Sequence, residues 1–228
     1  MSKTPTTLKV LDIASMLLLL AAAWMVFAYA PMERTMGLVQ KVFYFHVAAN
    51  WVGMLGFLLA AVAGSAFLAT ARPRWDVLEV AAVEIGLAFS LIGIVSGSIW
   101  ARPIWNTWWT WDPRLVTVTV MELIYIAYFM LRQGVEDPER RARYAAVYAI
   151  VGFLSVPLTF LSIRLFRSIH PVVITSTQAE LSPRMFQTFM FSLFTFTVVF
   201  VALVWHRYRL GQLSRHIERL LLARNEDE

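Results

Sequence analysis

The chain has no cysteine in its 228 residues. That absence excludes thiolate-ligated metals, disulfide exchange and covalent c-type haem attachment to this chain, all of which need sulfur. Charge is scarce too: only 15% of residues are Asp, Glu, Lys or Arg, where soluble domains carry about 25%. There is no Gly-rich phosphate loop, long repeat or low-complexity tract. The formal charge of +5 comes from cations scattered over loops and tail, not from a nucleic-acid-binding patch. No nucleophile or acid–base pair suggests an enzyme.

What is present is apolar surface, 59% of residues. A helical span needs roughly 20 mostly apolar residues, and six stretches qualify: about Val10–Ala30, Val42–Ala69, Val80–Ile99, Leu115–Leu131, Tyr144–Ile163 and Phe186–His206. The expected fold is an all-α integral membrane protein, a six-transmembrane-helix bundle over 1–206 with an outer-face tryptophan-rich interfacial segment at 100–116. An amphipathic cytosolic tail over 207–228 places Leu210, Leu213, Ile217, Leu220 and Leu221 at helical spacing. The first apolar stretch ends Ala28-Tyr29-Ala30, as a cleavable signal might. Its apolar length and Pro31 directly after that site favour a retained helix.

Lys and Arg counts in short loops set orientation. With the N-terminus in the cytoplasm, thirteen of the 20 basic residues face inward and seven outward. Both termini are then cytoplasmic, and the connection between the third and fourth spans lies outside.

That connection reads WNTWWTWDPR from Trp105 to Arg114, with Trp100 upstream. Isolated Trp24, Trp51 and Trp205 fit an interfacial aromatic belt. The cluster is denser than a belt requires and makes a stacking platform for a large, flat apolar ligand. Pro103 and Pro113 bracket it, so the pattern predicts a short interfacial helix over about 104–111, with Trp105, Trp108 and Trp109 on one face. Arg102 and Arg114 flank the platform and could anchor anionic groups.

Four histidines occur. His206 and His216, at the inner end of the last span and in the tail, have no evident partner. His46, in KVFYFHVAANW, and His170, in SIRLFRSIHPVV, share the outer face with the tryptophans. Neutral imidazole is a common axial ligand of haem iron, and haem is flat, apolar and edged by two carboxylates.

WNTWWTWDPRL resembles the WWD signature of the haem-handling membrane proteins of cytochrome c biogenesis. Length, six spans and a histidine on each side of the motif most resemble the cytochrome c maturation protein C, or haem exporter C, family. The resemblance implies haem b, bound transiently and non-covalently. It implies His46 and His170 as iron ligands and Trp105, Trp108, Trp109, Trp111, Asp112 and Arg114 as haem-holding residues, with Trp100, Arg102 and Lys41 as further candidates. It implies, as partners, a membrane-tethered periplasmic haem chaperone, ATP-binding cassette transporter subunits and a small single-span subunit in the bacterial inner membrane. Asn106 stands where that family often has glycine, Val116 where it has threonine, and Val47-Ala48 where it has Val-Pro.

Two other readings are a b-type cytochrome subunit that keeps its haem for electron transfer, and a secondary transporter using Glu84 and Glu122. Carboxyl groups inside apolar spans are costly and invite a functional explanation. Gly86, Ser90, Gly93 and Gly97 form one small-residue face on the third span, suited to close packing within the bundle or against another subunit.

Overall fold

The computed structural model describes residues 4–170 and 181–226. Among these, six helices are long and apolar enough to cross a membrane. α1 (Thr6–Trp24) continues into a π-helical turn, Met25–Tyr29; a 3-10 turn, Leu38–Gln40, leads into α2 (Lys41–Thr70). α3 (Pro73–Trp105), α4 (Pro113–Gly134), α5 (Pro138–Gly152), α6 (Ser155–Leu165) and α7 (Pro183–Glu226) follow. α5 and α6 together make the fifth crossing.

Proline marks most of the starts. Pro73, Pro113 and Pro138 each occupy the first helical turn, where a missing N–H costs nothing and the fixed φ already suits the helix. Asp112 and Asp137 cap α4 and α5 through their side chains. The helices overrun the expected spans: α3 continues to Trp105 with Pro103 inside it.

α2 and α3 form the most extensive helix pair; α5 packs on α2, α4 on α5 and α6, and α7 on α1, α2 and α3. The small-residue face of α3 is spent inside this pair. A Cβ on Gly56 would lie 2.5 Å from the Gly86 Cα, and one on Gly53 would meet Ser90 at 3.0 Å. Only glycine permits that backbone approach. α1 buries little beyond Leu8, Ser15 and Ala22. The Lys41 amine ties its far end to the bundle, donating to the carbonyls of Val26 and Phe27, 2.9 Å from each.

Six crossings place both terminal segments at one end, where the Arg215 guanidinium donates to the Pro73 carbonyl at 2.5 Å. The tryptophan segment lies at the other end. His206, expected to stand alone, pairs with Asp12 of α1 at 2.8 Å. The tail does not begin a separate element, since α7 runs unbroken from the last span through residue 226. Lys3 and residues 227–228 lie outside the described residues.

Candidate functional site

α3 stops at Asn106, whose φ of 54° puts it in the left-handed region. Glycine is the residue best suited to that cap, and asparagine is the next most tolerant. Asparagine here therefore answers a backbone demand that glycine would also meet. Arg102 donates to the Asn106 carbonyl at 2.8 Å and to its side-chain oxygen, closing the helix end.

Residues 107–112 are not helical, contrary to the short interfacial helix that the tryptophan spacing suggests. The left-handed cap turns the chain out of α3. Pro113 then holds Asp112 extended, at φ −70° and ψ 152°. The tryptophans consequently share no single face. Trp105 ends α3, Trp109 packs on the core, and Trp109 and Trp111 meet edge to face at 5.9 Å.

Asp112 joins two distant segments. Its Oδ1 accepts from the backbone N–H groups of Arg114 at 3.0 Å and Leu115 at 3.3 Å, capping α4. Its Oδ2 accepts from the Ile169 N–H at 3.0 Å, which secures the connection after α6. The neighbouring His170 Nδ1 lies 3.3 Å from Asp112 Oδ1, off the line a hydrogen bond requires. Burial raises the Asp112 carboxyl, but bonds from Ser168 and Ile169 and the field of His170 bring it below the usual aspartate range. His170 is lowered from 6.5 by burial, with Arg114 adding to the effect and Asp112 opposing it. It is therefore neutral at neutral pH and able to offer a lone pair to a metal.

His46, one turn into α2, is fixed from behind. Its Nδ1 lies 3.0 Å from the Gly93 carbonyl and 3.3 Å from the Ser96 hydroxyl. A carbonyl can only accept, so Nδ1 carries the hydrogen and Nε2 keeps its lone pair free. This is the arrangement by which outer-sphere bonds orient a ligating imidazole. A Cβ on Gly97 would meet the His46 ring at 2.8 Å, and one on Gly93 would meet the Asn50 amide at 2.6 Å. The two glycines clear room for the imidazole and its neighbour.

Both histidines line one cavity at the tryptophan end. With its open mouth it encloses about 770 Å³, and Trp100, Trp105, Trp108, Trp109 and Arg114 also form its walls. Aromatic rings connect the two imidazoles: His46 to Trp100 at 5.9 Å, Trp100 to Trp105 at 6.0 Å and Trp105 to His170 at 5.5 Å. The Arg114 guanidinium donates to the Thr159 carbonyl at 2.6 Å and has no carboxylate within ion-pair distance among the described residues. Three buried polar atoms on or beside the wall lack a bonding partner: Trp100 Nε1, Thr110 Oγ1 and His170 Nδ1.

Of the residues singled out from the sequence, the structure brings together His46, His170, Trp100, Trp105, Trp108, Trp109 and Arg114, with Asp112 behind His170. Trp111 is 76% exposed and outside the wall. Arg102 closes α3, and Lys41 faces α1. Sequence reasoning missed Asn50, which was discoverable as the i+4 neighbour of His46, and gave Gly93 and Gly97 only a packing role.

Six membrane-length helices define a multi-pass membrane protein, with a tryptophan-walled cavity on α2, α3, α4 and adjoining connections that gathers His46, His170 and Arg114. Residues 1–223 match the heme exporter protein C family, and the chain belongs to it. It is similar to the heme exporter protein C of Bradyrhizobium diazoefficiens, 31% identical over 209 residues, covering 91% of this chain and 80% of the relative. The Rhodobacter capsulatus protein is 29% identical over 210 residues, 91% of this chain and 87% of that one. The protein of Escherichia coli strain K12 is 28% identical over 199 residues, 87% and 81%.

Proposed function

We propose that this protein binds haem at the outer face of the bacterial cytoplasmic membrane and delivers it to a membrane-tethered periplasmic haem chaperone for c-type cytochrome biogenesis. A haem-handling role follows from the family; the site and the direction of delivery are our reading. The observation that carries it is the cavity itself, in which His46 and His170 stand with Arg114, which pairs with no carboxylate among the described residues.

Haem b is cargo here, held without a covalent bond. His46 Nε2 ligates the iron from α2, and His170 ligates it from the connection after α6. Arg114 neutralises propionates by charge-assisted hydrogen bonds. Trp100, Trp105 and Trp108 supply apolar wall. An open mouth suits a carrier that must release its load. The chain's own residues bind and orient, and any covalent step is assigned to the partner. The excess of basic residues in the terminal-end loops supports cytoplasmic termini and a periplasmic cavity. ATP-binding cassette transporter subunits and a small single-span subunit are the expected neighbours in the bilayer. A b-type cytochrome subunit would place both ligands on facing spans; His170 follows α6 in a connection instead.

Optical spectra of protein purified from haem-replete cells test this reading. Wild type is expected to show a six-coordinate bis-imidazole spectrum, and His46→Ala and His170→Ala each to lose it. Wild type without haem, with or without the chaperone, overturns the function. Unchanged haem in both variants overturns the ligand assignment alone.

A further inference from the structure

Below the cavity, α3 and α4 face each other with titratable side chains that no haem contact uses. Glu79 is fully buried on α3 and accepts a hydrogen bond from the Tyr128 hydroxyl of α4 at 2.9 Å. Its second oxygen, Oε2, has no partner. It occupies a notch left by Gly64, where a Cβ would stand 2.9 Å from it. Towards the terminal end, Asp76 and Arg132 pair at 2.7 Å, and Arg215 reaches Asp76 at 3.5 Å. Towards the cavity, Glu122 is 4% exposed and neither carboxyl oxygen has a partner. The Ser90 hydroxyl faces it from α3.

The spacing turns these contacts into a row. On α4, Glu122, Tyr125, Tyr128 and Arg132 follow one another at three or four residues, and so share a face. On α3, Asp76, Glu79, Gly86, Ser90 and Gly93 keep the same phase. Asp76 and Gly93 are about 25 Å apart along the helix, most of the roughly 30 Å hydrocarbon thickness. The upper end stops one turn below Val118, which belongs to the cavity wall. The lower end opens at the paired charges beside Pro73. Tyr125 lies between the two carboxyls along the row, fully buried, its hydroxyl unpartnered and within electrostatic reach of Glu79.

An ionised, unpaired carboxylate at this depth is prohibitively costly. We propose that the α3–α4 interface is a proton path, which carries protons from water at the Asp76–Arg132 end through Glu79 to a proton-holding carboxyl, Glu122, beneath the cavity. A proton enters at Glu79 Oε2. Oε1 then releases a proton to the Tyr128 oxygen once that hydroxyl has turned from Glu79 to donate toward Tyr125. Tyr125 turns in the same way toward Glu122, so each tyrosine gives one proton and receives one. One proton enters, one is held, and no electron moves. Ser90 from α3 faces Glu122; on α4, Tyr125 follows one turn toward Glu79 with its ring stacked on Phe57 of α2 at 3.6 Å, and Arg114 lies two turns nearer the cavity. The groups facing Glu79 are Asp76, Tyr125, Tyr128 and Arg132. The path goes beyond haem binding and stands without it.

Infrared spectroscopy of the purified full-length protein, free of haem, provides the test. Protonated carboxyls absorb apart from carboxylates, and their bands shift when deuterium replaces the proton. Wild type is expected to show two such bands, one removed by Glu79→Gln and the other by Glu122→Gln. In deuterium oxide, exchange at Glu122 is expected to slow about tenfold or more in Glu79→Gln and in Tyr128→Phe, the scale of losing one hydrogen-bonded carrier. Tyr128→Phe keeps the ring packing and carries the test should Glu79→Gln fail to fold. Glu84→Gln, which removes a half-exposed partner of Arg207 outside the row, leaves bands and rates unchanged. No protonated band at Glu122, or an exchange rate there indifferent to both Glu79→Gln and Tyr128→Phe, overturns the proposal.

Discussion

Trp100 and Trp111 belong to one short aromatic run, yet the first is 5% exposed and the second 76%. Trp100 sits on the last turns of α3, between Phe43 and His46, with Phe189 of α7 completing the cluster. Trp111 follows the left-handed turn at Asn106 and meets the edge of Trp109. The same side chain is therefore built wall in one place and uncovered surface in the other. What separates them is the residue that ends the helix, not the density of tryptophan.

That contrast can be tested in descending order of effect. Trp100→Ala removes a buried indole from the cavity wall and is expected to cost about 3–5 kcal/mol of stability, measured by thermal unfolding in detergent. Asp112→Ala deletes the α4 cap, at about 1 kcal/mol, and also frees the segment bearing His170. Asp112→Asn keeps an acceptor for the cap and removes only the charge, so haem-iron spectra altered in both variants, with stability lost only in the alanine, would separate the two jobs.

The third prediction concerns pH. Burial lowers His170 from 6.5, so its contribution to stability is complete above about 6.5 and is lost as pH falls through that value toward the lower folded one. Haem affinity should share that acid limb, because proton and iron compete for the imidazole. Asp112→Asn removes the charge that favours the imidazolium, and the limb should move further toward acid. A limb moving toward neutrality would contradict the arrangement. The smallest effect is expected from Trp111→Ala, within about 0.5 kcal/mol of wild type in stability; a larger loss would mean that this tryptophan is not free.

The six spans were legible because twenty-residue apolar runs bounded by proline leave little alternative, and the two cavity histidines because they flank the tryptophans at one end. The tryptophan helix was misread for a local reason. The i, i+3, i+4 pattern was present, but a left-handed asparagine and a proline-restricted aspartate override periodicity over so short a distance. The intramembrane carboxyls show a different limit. Glu84 and Glu122 stood out in the sequence, yet Glu84 is half exposed and paired with Arg207, while Glu79, five residues earlier, is the buried one. Which side of α3 faces inward depends on where α2 docks, and hydropathy carries no phase for a helix apolar all round. Lys41 was placed with the anion-binding residues on charge alone; its amine faces carbonyls exposed by the π-helical end of α1.

α7 runs 44 residues without a break, about 66 Å at helical rise, against roughly 30 Å of hydrocarbon. Near one end Phe189 packs in the cluster that includes Trp100; near the other Arg215 reaches Asp76 and Pro73. A single rod thus touches both the cavity wall and the charged cluster on the far side of the bilayer. A tilt of α7 imposed from either compartment has a direct lever on the other, with no intervening joint to absorb it.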